Sequence, residues 1–92
     1  MSMNKEIAEQ IVLKIKRTMD PSWSLTREAE GFILDQPKNS GPLTNSELWT
    51  ETWRVAQAVK FEKFLSIEKN GTDGYLILSR DDDENWFQIL IE

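Results

Sequence analysis

Histidine and cysteine are both absent from this chain of 92 residues. Histidine and the cysteine thiolate perform most side-chain chemistry near neutral pH, and they are the main ligands of soft metals. Without them, catalysis would depend on carboxylates, lysine, tyrosine and hydroxyl groups, which need special surroundings to react. Because no catalytic, metal-binding or cofactor motif is found, the sequence predicts a binding protein with no cofactor or metal rather than an enzyme.

Long apolar runs are also missing from the sequence. No stretch reaches about 18 consecutive apolar residues, the length that a membrane-spanning helix needs. Residues 1–20 carry charges throughout, which argues against a signal peptide. The length fits one domain over residues 1–92. We therefore expect a single-domain cytoplasmic protein that does not bind membranes.

Positive charge is scarce in the second half of the chain. Residues 1–46 contain six basic and six acidic side chains, whereas residues 47–92 contain five basic and ten acidic ones, so the net charge of −5 arises there. A general nucleic-acid binder would have the opposite sign, because it must neutralise phosphates. An acidic surface suits a basic partner, although it also simply favours solubility.

Two helices are predicted from apolar spacing and end signals. Residues 4–19 have an apolar face at helical spacing, and Asp20-Pro21 ends this helix. A second helix begins after Thr44, which forms a capping box with Glu47, and it ends near Val59 or Lys60. The apolar face of the first helix consists of Met3, Ile7, Ile11, Val12, Ile15 and Met19.

In the remaining segments, apolar residues recur at every second position, which is typical of strands. Residues 22–35 predict two short strands with a turn near residues 29–31. Residues 63–69, 75–80 and 86–91 predict three more, with residues 70–74 as a hairpin loop. The predicted fold class is therefore α+β, with two helices packed on a small antiparallel sheet of three to five strands.

The most concentrated charge is a run of four acidic residues, Asp81, Asp82, Asp83 and Glu84. Their spacing lacks the alternating ligands, central glycine and distal glutamate of an EF-hand, so we expect no metal site. The run is either a solvated turn that discourages strand-edge aggregation or a contact with a basic partner. The acidic excess in the second half of the chain favours the contact with a partner.

A small basic group lies near the end of the first predicted helix. Lys14 and Arg17 share one face, where they suit the negative end of the helix dipole. This structural role is sufficient to explain the presence of both residues, with no binding function. Alternatively, they provide a local contact with a nucleic-acid backbone, even though the chain as a whole is acidic.

The four tryptophans require two interpretations. Trp49 and Trp53 are predicted as core and rim of the second helix, with Trp53 required for folding. Such a small core seldom buries four indoles, so at least one should be partly exposed and able to anchor an interface. We expect this residue to be Trp86, because it follows the acidic run and because alternation along the strand places it on the face opposite to that of Phe87.

The chain resembles, as a class, the small acidic proteins that phages produce against bacterial defences, anti-CRISPR proteins among them. Length, acidity, the absence of cofactor chemistry and a compact α+β pattern carry this resemblance, and no motif or residue role comes with it. The resemblance implies inhibition by occupying a nucleic-acid or effector surface, in the host cytoplasm if the chain is phage-encoded.

Two functions follow from these observations. The first is a protein-binding inhibitor of a bacterial nucleic-acid-handling defence complex, whose partner is a protein or ribonucleoprotein with a basic surface. The alternative is an immunity protein or antitoxin that neutralises a toxin through its acidic surface. The expected binding residues are Asp81, Asp82, Asp83, Glu84, Trp86, Lys14 and Arg17.

Overall fold

A computed structural model describes residues 5–29, 31–38, 41–59, 64–71, 74–80 and 86–92 of the chain. Within these ranges the elements are α1 (Lys5–Thr18), β1 (Ser24–Glu28), β2 (Gly31–Asp35), α2 (Asn45–Val59), β3 (Phe64–Asn70), β4 (Gly74–Arg80) and β5 (Trp86–Ile91). All seven elements lie where the spacing of apolar residues predicts them. Their first and last residues differ from the predicted ones by at most one or two positions.

The five strands form one mixed sheet in the order β1-β2-β5-β4-β3. The predicted α+β class is confirmed, but the prediction of a wholly antiparallel sheet is wrong at one pair. β2 and β5 run parallel, with Leu34 opposite Ile91, and the other three pairs are antiparallel. The reason is that α2 carries the chain from β2 to the far edge, and two further reversals bring β5 back beside β2 in the same direction.

The start of α2 shows the capping box that the sequence predicts. The backbone N–H of Glu47 donates to Thr44 Oγ1 at 3.2 Å, and the backbone N–H of Thr44 donates to Glu47 Oε1 at 3.0 Å. These two bonds satisfy donors that a helix N-terminus would otherwise leave free, which fixes where α2 begins. Bonding to Thr44 also lowers the pKa of the Glu47 carboxyl below its ordinary value of 4.5.

Both helices pack on the same face of the sheet, and the core lies between them and the strands. Ile11 and Ile15 of α1 and Val55 and Val59 of α2 are buried there. The sheet contributes its alternate residues, namely Phe32, Leu34, Tyr75, Ile77, Phe87, Ile89 and Ile91. The alternation predicted for β5 is therefore confirmed.

The opposite face of the sheet, called the open face below, carries the other alternate residues. Neither described helix packs on it. Ile33, Leu76, Leu78, Trp86 and Leu90 lie on this face and are half-buried. The strands β2, β4 and β5 thus carry apolar residues on both sides, although the described helices cover only one side. The register also places the polar residues Asp35, Gln88 and Arg80 on the open face.

Candidate functional site

The two largest exposed aromatic side chains among the described residues lie next to each other on α2. Trp49 is 43% exposed and Trp53 is 50% exposed. They are four residues apart, so one helical turn places their rings one above the other. The ring centroids are 6.3 Å apart with an interplanar angle of 29°, which is a stacked arrangement.

Tyr75 supports this pair from the sheet. Its ring centroid lies 5.2 Å from that of Trp49, with the planes tilted by 58°. Tyr75 is nearly buried at the start of β4, on the face that the helices cover. The three rings, Trp49, Trp53 and Tyr75, are called the aromatic cluster below.

Polar contacts fix the position of Tyr75. Asn45 Oδ1 accepts hydrogen bonds from Tyr75 Oη at 3.0 Å and from Lys69 Nζ at 2.6 Å. Lys69 Nζ also lies 4.4 Å from the centre of the Tyr75 ring, within the range of a cation–π interaction. The first residue of α2, the end of β3 and the start of β4 are therefore tied together beneath Trp49.

The helix surface beside the two indoles is polar but uncharged. Helical spacing places Ser46, Thr50 and Gln57 on the side of Trp53 away from the core, where all three are exposed. The nearest charged pair of α2 is Arg54 and Glu51, whose side chains form an ion pair at 3.2 Å. The two indoles can therefore bind through ring packing and hydrogen bonds, while the Lys69 ammonium lies against the Tyr75 ring on the sheet side of the aromatic cluster.

The structure corrects the prediction for Trp53. The sequence predicts a folding role for this residue because the apolar arc of α2 includes it. The buried part of the arc is narrower, since it contains Leu48, Thr52, Val55, Ala56 and Val59. Trp49 and Trp53 lie at the margin of that arc, and half of each indole projects beyond the core.

The predicted binding residues do not converge on one surface. Lys14 and Arg17 are exposed on α1, on the helix-covered side of the sheet, close to the exposed Leu13. Trp86 is half-buried on the open face, as predicted, although its neighbours there are more apolar than the sequence indicated. Asp81, Asp82, Asp83 and Glu84 lie outside the described residues.

Two carboxyl groups lie side by side at one end of the open face. The backbone bonds from Glu92 to Leu34 and from Gln36 to Glu92 place Glu92 opposite Asp35. Burial, the charge of Asp35 and a hydrogen bond with Asp35 raise the pKa of the Glu92 carboxyl above its ordinary value of 4.5. This end of the face therefore concentrates negative charge.

A further apolar groove lies between the end of α1 and the first two strands. Its volume is about 420 Å³, and its lining includes Met19, Trp23, Leu25 and Leu34, with Lys16 and Asp20 among the polar lining residues. The groove lies on the helix-covered side of the sheet. Its lining is formed by core residues that the described elements leave partly open, and no cluster of polar groups converges in it.

Among the described residues, no group of three or more carboxylates is close enough to hold a metal ion. In the same part of the chain, neither helix is long and apolar enough to cross a membrane.

The aromatic cluster was not predicted from the sequence. The Trp49 and Trp53 spacing was visible, but Tyr75 is 30 residues from Asn45, and only the folded sheet brings them together. The one local signal was the position of both indoles at the edge of a very broad apolar arc, next to Ser46 and Gln57.

No protein-family model matches the chain, and no curated protein or solved structure is significantly similar to it.

Proposed function

We propose that this chain is a non-enzymatic binding protein that docks on another protein through the aromatic cluster. The observation that carries the proposal is the stacked pair Trp49 and Trp53, which stays half exposed although it is held in place by Tyr75. Tryptophan and tyrosine dominate interface hot spots because their rings bury a large apolar area. Rings that are already ordered lose little further entropy when a partner covers them.

The surroundings of the cluster support a protein partner. The fully buried centre of a protein interface is rich in aromatic residues and poor in charge, with a polar rim around it. The aromatic cluster with its uncharged neighbours Ser46, Thr50 and Gln57 has this composition. Stacking of single-stranded nucleic acid also uses aromatic rings, but it needs a positively charged groove, which the net charge of −5 opposes.

The proposed partner is a protein or ribonucleoprotein with a basic surface, and the proposed role is inhibition of a bacterial nucleic-acid-handling defence complex. The acidic excess in the second half of the chain supports this partner, because opposite charge accelerates encounter and aligns the two surfaces. The inhibitor would act in a stoichiometric manner, by covering a surface that the complex needs for its nucleic acid or effector.

Affinity capture from a bacterial lysate tests the proposal. The immobilised protein is compared with the double variant Trp49→Ala/Trp53→Ala and with Leu13→Ala, which truncates an exposed apolar side chain on the other helix. Nuclease treatment of the lysate removes proteins held only through nucleic acid. We expect the wild type and Leu13→Ala to capture the same complex and the double variant to lose it. Retention of the complex by the double variant would contradict docking through the aromatic cluster, and capture of a toxin would favour the immunity-protein alternative.

A further inference from the structure

The geometry points to a second binding surface: we propose that the open face of the sheet binds a basic amphipathic helix of a partner protein. This surface lies on the opposite side of the sheet from the aromatic cluster, since Tyr75 faces the helices. The proposal does not depend on the function assigned to the aromatic cluster, because separate residues carry it.

An apolar stripe crosses the centre of the open face. The cross-strand register places Ile33 beside Leu90 and Leu90 beside Leu76, so one row of large apolar side chains runs over β2, β5 and β4. Leu78 and Trp86 extend the stripe along the strands. A shallow groove of about 280 Å³ lies on the same face, with Gly31 and Gln88 in its lining.

The topology of the sheet makes this apolar face unusual. β2 and β5 form a parallel pair in the middle of the sheet. Strands in parallel sheets are generally covered on both faces, and a one-sided antiparallel sheet normally has polar residues on its solvent side. Here the described helices cover one face alone, while five of the outward residues of three adjacent strands are apolar and half-buried.

A helix fits this face better than an extended segment does. The backbone groups of β2, β4 and β5 are already paired with neighbouring strands, so a segment lying across the face gains no backbone hydrogen bonds from them. An extended segment would leave its own buried N–H and C=O groups unpaired, whereas a helix satisfies them internally. The stripe spans three strands, about 10 Å, which is close to the diameter of a helix with its side chains.

Carboxylates flank the apolar stripe and indicate the charge of the partner. In the row that contains Ile33, Leu90 and Leu76, the next residue on edge strand β3 is Glu68. Glu28 lies on the other edge strand, β1, and both are exposed. The Asp35 and Glu92 pair closes one end of the face. A helix with an apolar stripe and lysine or arginine on both sides would place its charges against these groups.

The same charges argue against other occupants. A second copy packed face to face would bring Glu28, Glu68 and the Asp35–Glu92 pair against carboxylates of the same kind, and Arg80 is the one basic residue that the register of the described strands places on this face. Nucleic acid and anionic membranes carry the same sign of charge and would be repelled. A basic amphipathic helix matches both the apolar stripe and the carboxylates of this surface.

A designed peptide tests the proposal directly. The probe is a fluorescein-labelled peptide of about five helical turns, about 18 residues, with leucines on one face and lysines on the other. The first comparator replaces each lysine by glutamate, and the second scrambles the order so that no apolar face remains. Fluorescence anisotropy with the full-length protein should show binding of the basic amphipathic peptide, no binding of the glutamate peptide, and about tenfold weaker binding of the scrambled one.

Two sets of variants assign the binding to the open face. Leu76→Thr/Leu90→Thr keeps strand-forming side chains but removes the stripe, and should weaken peptide binding about tenfold or more. Glu28→Gln/Glu68→Gln leaves the fold intact because both residues are exposed, and should weaken binding in a salt-dependent manner. The matched control Glu6→Gln/Glu9→Gln changes two exposed carboxylates of α1 and should bind the peptide like the wild type in every respect other than a small effect of net charge.

The proposal is overturned if all three peptides bind alike, if none binds, or if the two glutamine pairs affect binding equally. Sedimentation of the protein without peptide provides a separate test. A dimer that dissociates on Leu76→Thr/Leu90→Thr substitution would show that a second copy, and not a basic helix, covers the open face.

Discussion

Single side chains at the start of α2 have stabilising roles that can be measured. Thr44 Oγ1 accepts a hydrogen bond from the backbone N–H of Glu47 at 3.2 Å. Thr44→Ala should reduce the free energy of unfolding by about 1 kcal/mol, the usual cost of losing an N-cap oxygen. Thr44→Ser keeps the side-chain oxygen, so its free energy of unfolding should fall much less. Urea denaturation of the three proteins checks this, and equal stability of Thr44→Ala and wild type would show that the cap is not needed.

Glu47 gives the capping box a pH dependence whose sign is fixed. Its pKa is lowered from 4.5 by hydrogen bonding to Thr44, so the folded state favours the charged carboxylate. The resulting stabilisation is present above about pH 4.5 and is lost as the pH falls through the lower, folded-state pKa. Wild type should therefore be more stable than Glu47→Gln near neutral pH, and the difference should shrink on acidification. Thermal melts from pH 7 to 3 test this; a difference that grows at low pH would contradict the bonding scheme.

The tryptophans of α2 and the phenylalanine of β5 should respond differently to truncation. Trp53 is 50% exposed, so Trp53→Ala should cost about 1 kcal/mol, the scale of one aromatic pair. Phe87 is fully buried, and Phe87→Ala should cost about 3–5 kcal/mol. Chemical denaturation of the two variants provides the comparison. If both lose stability equally, Trp53 belongs to the core, as its sequence position first suggested, and cannot be an independent binding anchor.

At the scale of secondary-structure elements, the contact between β2 and β5 depends on Gly31. A Cβ atom at Gly31 would lie 1.8 Å from the backbone oxygen of Gln88, so the backbone would have to move. Overpacking typically costs about 1–3 kcal/mol, and a collision with backbone should fall at the upper end for Gly31→Ala. Gly41→Ala is the matched control, because nothing lies within 4 Å of its Cβ position. Equal melting temperatures for the two variants would contradict the close β2–β5 approach.

Local signals explain which elements were predictable. The capping box of α2 and the alternation of β5 depend on residues close in sequence, and both were predicted correctly. The parallel β2–β5 pair joins segments that are more than 50 residues apart, as in Ile33 with Leu90. No local period encodes such a pairing, because it results from the path that α2 imposes on the chain.

The candidate site was predictable only in part, for a related reason. Trp86 faces away from Phe87 as alternation requires and is half-buried, but the more exposed indoles are Trp49 and Trp53 rather than the predicted Trp86. A helical wheel counts Trp49 and Trp53 as apolar, but it cannot show how wide a strip of the helix the sheet covers. Tyr75 and Lys69, which hold the cluster in place, come from a hairpin whose position relative to α2 is a tertiary property.

At the scale of the whole molecule, two surfaces of different chemistry lie on opposite sides of one sheet. The helix surface beside the indoles of the aromatic cluster is uncharged, so the dissociation rate of a partner docked there should depend weakly on salt, whereas charge steering makes its association rate salt-dependent. The open face is framed by carboxylates, so binding of a basic helix there should weaken as salt screens charges over about 8–10 Å. The salt dependence of the dissociation rate therefore distinguishes the two surfaces in any complex that this protein forms.

The most direct test of docking through the aromatic cluster is the affinity of a captured partner for Trp53→Ala, measured by titration calorimetry beside wild type and Leu13→Ala. Trp53 and Leu13 are the two most exposed large apolar side chains of the described helices, which makes the comparison matched. We predict that Trp53→Ala weakens binding about 30-fold, equivalent to a hot spot of about 2 kcal/mol, while Leu13→Ala binds like the wild type. Wild-type affinity of a correctly folded Trp53→Ala protein would contradict the claim that the aromatic cluster is the docking surface.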